Sequence, residues 1–69
     1  MERTPVTSTD IGAIGYDSET ETLEIEFVKG SVYQYAGVPV GEYEAMMNAD
    51  SKGKYFNANI KGRYSFTRL

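Results

Sequence analysis

Three short runs of β-branched and aromatic residues stand in the first half of the chain, each bounded by turn formers. They lie at 11–16 (Ile-Gly-Ala-Ile-Gly-Tyr), 22–28 (Thr-Leu-Glu-Ile-Glu-Phe-Val) and 31–36 (Ser-Val-Tyr-Gln-Tyr-Ala). This spacing predicts three antiparallel strands. In the second run Leu23, Ile25 and Phe27 alternate with Glu24 and Glu26, the pattern of a sheet with one covered face. Lys29-Gly30 is a candidate tight turn, because glycine adopts a positive φ without steric cost. A two-residue loop pairs Phe27 with Val32 and sets Tyr33 and Tyr35 on the glutamate face. A bulged turn adds one residue and moves both tyrosines beside Ile25 and Phe27. The pattern alone leaves both registers open.

Val38-Pro39 closes the sheet part, since proline donates nothing to a ladder and restrains the residue before it. Over 40–49, Val40, Tyr43, Met46 and Met47 recur at helical spacing, with Glu42, Glu44 and Asn48 on the other side. A second helix is predicted over 52–61, capped by Asp50 or Ser51 and stopped by Gly62. Tyr55, Phe56 and Ile60 share one side of it, and Lys54, Asn57, Ala58 and Lys61 the other. Residues 63–69 alternate and form a candidate C-terminal edge strand. The expected fold is a small α+β domain over 1–69, a three-stranded antiparallel meander followed by two short helices. No repeat or linker interrupts it.

At 69 residues one core is all the chain can build, and a core of this size rarely supplies more than about 3–5 kcal/mol. Nine aromatics and 41% hydrophobic residues still argue for a folded chain. There is no Cys and no His, so thiolate nucleophiles, Ser-His and Cys-His pairs and Cys/His zinc sites are excluded. Glu24 and Glu26 project to one strand face about 7 Å apart, but no third residue orients either acid and no Asp-x-Asp-x-Asp-Gly loop is present. The expectation is a non-enzymatic protein without cofactor or metal. No apolar run approaches the ~18 residues of a membrane span, and Met1-Glu2-Arg3-Thr4-Pro5 lacks the apolar stretch of a secretory signal. A cytoplasmic protein with no membrane partner is expected.

The net charge of −3 conceals an asymmetry. All ten acids precede residue 51 and leave that segment at −8, whereas 51–69 carries Lys52, Lys54, Lys61, Arg63 and Arg68 with no acid, a charge of +5. Either the basic end neutralises the acidic strands within the molecule, or it forms an anion-binding surface. Asp50-Ser51-Lys52-Gly53-Lys54 is the densest candidate: a helix start exposes unpaired N–H groups, Ser51 adds a hydroxyl, Gly53 admits close approach, and two lysines add charge. The stripe continues through Asn57 to Lys61. Tyr33 and Tyr35 place two rings on one strand face, as sheet-based RNA binders do for base stacking. Core packing under a helix explains the same pair.

The order Val6-Thr7-Ser8-Thr9-Asp10-Ile11, Ile14-Gly15-Tyr16-Asp17, Gly30-Ser31-Val32-Tyr33-Gln34-Tyr35-Ala36-Gly37-Val38-Pro39 and Ala49-Asp50-Ser51-Lys52-Gly53-Lys54-Tyr55-Phe56-Asn57 closely resembles the KTSC domain. That small domain takes its name from the C-terminus of some lysyl-tRNA synthetases and also occurs as a free-standing bacterial and phage protein. The resemblance spans about residues 6–66 and implies RNA binding, with Tyr33, Tyr35, Ser51, Gly53, Phe56, Asn57 and Lys61 at motif positions. The resulting expectation is a binding module for RNA or another phosphate-bearing ligand, through Ser51, Lys52, Gly53, Lys54, Asn57, Lys61, Tyr33 and Tyr35. Two alternatives stand beside it. One is a protein-interaction module, phage-encoded and directed at a host or bacterial protein. The other is a homo-oligomer that encloses a nucleotide between subunits.

Overall fold

The alternation over 22–27 becomes the centre of a five-stranded antiparallel sheet. In the computed structural model, which describes residues 1–69, the strands are β1 (Arg3–Pro5), β2 (Ile11–Asp17), β3 (Thr22–Phe27), β4 (Val32–Tyr35) and β5 (Phe66–Arg68). They lie in the order β1-β2-β3-β4-β5. The α+β class holds, but the expected three-stranded meander is two strands short. β5 is the candidate edge strand of 63–69. β1 left no signal, because Arg-Thr-Pro contains no apolar residue to alternate and all three positions are exposed; it exists by pairing, with Arg3 opposite Gly15 and Thr4 opposite Ile14.

The turn after β3 settles the register left open by sequence. Phe27 N–H donates to the Ser31 carbonyl and Gly30 N–H to the Phe27 carbonyl, both at 2.8 Å, and Gly30 has φ +103°. The loop therefore has three residues, Val28-Lys29-Gly30, with glycine in the left-handed position of the bulged turn. Ile25 faces Tyr33 and Leu23 faces Tyr35, so both tyrosines join the apolar face. A second irregularity, between Ile11 and Ala13, keeps Ile11 and Ile14 together on that face although they are three residues apart.

Both helices cross the apolar face. α1 (Val40–Asn48) buries Met46, and α2 (Lys52–Tyr55) runs directly into a π-helical turn, Phe56–Ile60, that buries Phe56 and Ile60. The core is Ile11, Ile14, Leu23, Ile25, Tyr35, Val38, Met46, Phe56 and Ile60. Val40, expected on the apolar side of α1, is exposed because it stands at the first helical position. Of the two candidate caps for the second helix, Ser51 takes the role, its Oγ accepting from Lys54 N–H at 3.3 Å. The chain leaves the helix at Gly62, φ +85°.

The opposite sheet face is not a plain solvated row of acids. Glu24 is only 3% exposed, yet it accepts from Arg3 Nε and from Gln34 Nε2, the latter at 2.8 Å, while Arg3 Nη1 donates to Glu26 at 2.6 Å. A buried carboxylate persists when its charge is paired and its oxygens accept hydrogen bonds. These carboxylates, Glu26 first and Glu24 second, hold the Arg3 guanidinium above its ordinary pKa. Close approach of β1 makes the pairing possible: a side-chain carbon at Gly15 would stand 2.9 Å from the Glu2 carbonyl oxygen. Arg3 makes both salt bridges of the molecule, so one of the two charges of Glu24 and Glu26 is offset from the N-terminus, and the five bases of 51–69 form no ion pair.

Candidate nucleic-acid interface

The helices do not cover the whole aromatic end of the sheet. Phe56 seals Tyr35, their ring centroids 5.4 Å apart and steeply tilted, and Tyr35 is buried. Beyond it Tyr33 is half-buried, and Phe66 on β5 lies 5.4 Å from Tyr33 and 5.7 Å from Tyr35 while remaining 59% exposed. A cleft of about 540 Å³ opens there, between the 27–31 hairpin, the segment before β2, the π turn and β5. That volume falls within the ~300–1,000 Å³ of small-ligand sites, which combine apolar walls with a few polar groups. Phe27, Tyr33, Tyr35, Phe56 and Phe66 supply the apolar lining; Asp10, Lys29, Ser31, Asn57 and Lys61 supply the polar groups.

Positive charge dominates the rim. Lys29 and Lys61 line the cleft and enter no salt bridge, against one lining carboxylate, Asp10. Arg68 lies with its guanidinium carbon 5.9 Å from the Tyr33 ring centre and donates to Ser31 Oγ at 3.3 Å, which fixes a third cation against the aromatic floor. Below this rim, burial pushes the Tyr35 hydroxyl above its ordinary value of 10.0, and the neighbouring Tyr33 adds to the shift. The folded protein therefore holds this proton more tightly than the unfolded chain. Its contribution to stability is complete below about pH 10 and is lost as the pH rises through the folded-state value. Unfolding midpoints are expected to fall in alkali, with tyrosinate absorbance showing the Tyr35 hydroxyl ionising at higher pH in the folded protein than in the unfolded chain; ionisation at the same pH in both would contradict this.

Five of the eight residues singled out by sequence converge on the cleft: Tyr33, Tyr35, Gly53, Asn57 and Lys61. Ser51, Lys52 and Lys54 do not line it. Ser51 is engaged as the cap of α2 and Lys52 Nζ donates to the Ala49 carbonyl at 3.4 Å, so the helix start satisfies its own polar groups locally. Gly53 sits against the segment before β2, where a side-chain carbon would meet Ser8 Oγ at 3.5 Å and Asp10 Oδ2 at 4.0 Å. Tyr33 and Tyr35 both pack with the core and both line the cleft, Tyr35 buried and Tyr33 half-buried. Sequence reasoning missed Asp10, Lys29 and Phe66. The Tyr64-Phe66-Arg68 alternation was the available signal for Phe66, but only the pairing of β5 with β4, Phe66 opposite Tyr35, brings it to the tyrosines. The π turn is likewise invisible in the periodicity: Lys61 N–H reaches back five residues to the Phe56 carbonyl at 2.9 Å, a geometry common at functional sites.

The residues of this cleft fall within a stretch, 7–64, that matches the family model described as the KTSC domain. The chain belongs to the KTSC domain family. Its first 48%-identical relative, a lysine–tRNA ligase of Nostoc punctiforme, aligns over 59 residues, 86% of this chain and 10% of the ligase. This KTSC domain thus spans about a tenth of the length of the curated ligases it matches. An uncharacterized protein of Stutzerimonas stutzeri is 38% identical over 100% of this chain and 99% of its own. Among solved structures, the crystal structure of a KTSC domain protein from Yersinia pestis has a TM-score of 0.94 at 42% identity, covering 99% of this chain and 96% of that one. No helix of the domain is long and apolar enough to cross a membrane.

Proposed function

We propose that this KTSC domain is a non-enzymatic binding module that takes single-stranded RNA into the cleft, acting in the cytoplasm. The observation that carries the reading is Phe66, a large ring 59% exposed yet packed beside Tyr33 and Tyr35, at the mouth of a cleft whose lysines have no acidic partner. Exposed aromatic faces stack unpaired bases, and unpaired cations beside them neutralise the phosphates between those bases. The name of the matched ligases, which includes a tRNA, supports RNA as the polyanion. The acidic strand face is a weaker docking surface than its sequence suggests, because Arg3 pairs with Glu24 and Glu26 and offsets one of their two charges, and this disfavours the protein-interaction alternative.

Salt dependence tests the reading. Each lysine in contact with a single strand adds about 0.7 to the log–log slope of affinity against salt, so Lys29→Ala with Lys61→Ala should reduce the slope by about 1.4. Lys54 lies outside the cleft, and Lys54→Ala should leave the slope unchanged. Labelled single-stranded RNA titrated at several salt concentrations gives both numbers. A slope lowered by Lys54→Ala and untouched by the Lys29/Lys61 pair would move the binding surface to the exposed stripe of the second helix.

A further inference from the structure

Of the three arginines in the chain, Arg68 alone is held at the cleft, and no carboxylate holds it. Its guanidinium carbon stands 5.9 Å from the Tyr33 ring centre, and Nη2 donates to Ser31 Oγ at 3.3 Å; Tyr33 and Ser31 both line the cleft. Arg68 enters no salt bridge. A guanidinium carries five N–H donors, and here only the one on Ser31 has a partner in the protein. The other two arginines are placed elsewhere, Arg3 on Glu24 and Glu26 and Arg63 over Tyr64. β5 sets Arg68 at a fixed interval from the exposed ring. Phe66 faces Tyr35 and Arg68 faces Tyr33, so the two side chains stand two positions apart on one strand and project to the cleft face about 7 Å from each other. A nucleotide whose base lies on the Phe66 ring therefore brings an adjoining phosphate to Arg68 without crossing the cleft.

We infer that Arg68 clamps the phosphodiester next to the nucleotide stacked on Phe66, donating two hydrogen bonds to its two non-bridging oxygens, with Tyr33 and Ser31 as the residues that position the guanidinium. The planar fork of arginine matches a phosphate bidentately, whereas a lysine ammonium meets it as a point charge. Contact with the Tyr33 ring and the bond to Ser31 hold the fork in place before the ligand arrives, which lowers the ordering cost of binding. Lys29 and Lys61 supply charge at the rim; Arg68 supplies geometry. The inference rests on the RNA reading above and deepens it, because it assigns one backbone phosphate beside Phe66 to one arginine.

The test uses the intact chain and a short labelled single-stranded RNA titrated at several salt concentrations. Arg68→Lys keeps the charge and loses the fork, so it should leave the log–log salt slope at the wild-type value while weakening binding about tenfold, the size of effect one hydrogen bond to a charged group supplies. Arg68→Ala loses charge and fork together and should also lower the slope by about 0.7. Arg63 does not line the cleft, and Arg63→Lys should bind as wild type does. Arg68 is exposed and makes no salt bridge, so its variants should unfold at the wild-type midpoint, which separates a lost phosphate contact from damage to β5. Wild-type affinity in Arg68→Lys, an equal loss in Arg63→Lys, or a loss that tracks a lowered midpoint overturns the clamp and leaves the RNA reading standing. A wild type that fails to bind the RNA overturns both.

Discussion

Phe56→Ala is expected to unfold the protein. Phe56 is 4% exposed, its ring lies 5.6 Å from Phe27 and 5.4 Å from Tyr35 in edge-on contacts, and its carbonyl holds the π turn closed through Lys61. Truncating a buried phenylalanine to alanine costs about 3–5 kcal/mol, transfer and cavity together. A single core in a chain of this length supplies about as much, so the loss of one ring removes the margin. Circular dichroism followed through a urea titration should show no cooperative transition for Phe56→Ala, and a shifted but cooperative one for Phe56→Leu, which keeps most of the volume. A Phe56→Ala midpoint equal to wild type would mean that the helical layer does not hold the sheet.

Phe66→Ala should do the reverse, leaving the fold intact and removing most of the affinity for single-stranded RNA. With 59% of its surface already in water, Phe66 contributes little to the core, and the backbone ladder of β5 with β4 does not depend on its side chain. Stacking of a base on an aromatic ring is worth about 1–3 kcal/mol by alanine substitution, which corresponds to roughly fivefold to a hundredfold in affinity. Fluorescence anisotropy of a labelled oligoribonucleotide reads the change directly, and Phe66→Tyr should restore binding because it restores the ring. Equal affinities for wild type and Phe66→Ala would show that the exposed ring is only the edge of the core.

Much of the central fold was legible because it rests on local periodicity. Leu23, Ile25 and Phe27 gave β3 and its covered face, and the recurrence of Tyr43, Met46 and Met47 gave α1. What escaped was non-local. β1 has no apolar period and is held by Arg3 reaching Glu24 and Glu26 across the sheet, so its existence follows from a charge pairing between residues more than twenty positions apart. The second helix was expected to be regular, and its wider last turn depends on how Phe56 and Ile60 seat on the sheet. The same distinction governs the site. Gly53, Asn57 and Lys61 were found because their residue types cluster along the chain, while Lys29 and Phe66 reach the cleft only through the bulged hairpin and the β4–β5 pairing. The densest run of candidate residues, Ser51-Lys52-Gly53-Lys54, was misleading as a unit, since a capped helix start consumes the hydroxyl that an anion would need.

Amide chemical-shift mapping of the intact chain during titration with a short single-stranded RNA addresses the cleft most directly. Perturbations are expected to concentrate at Asp10, Lys29, Ser31, Tyr33, Gly53, Asn57, Lys61 and Phe66, residues far apart in sequence that meet only at this cleft, while Arg3, Glu24 and Glu26 on the opposite face stay unmoved. Shifts confined to Ser51, Lys52 and Lys54, shifts on the Arg3–Glu24 face, or none at saturating RNA would contradict the assignment of the cleft as the RNA-binding site.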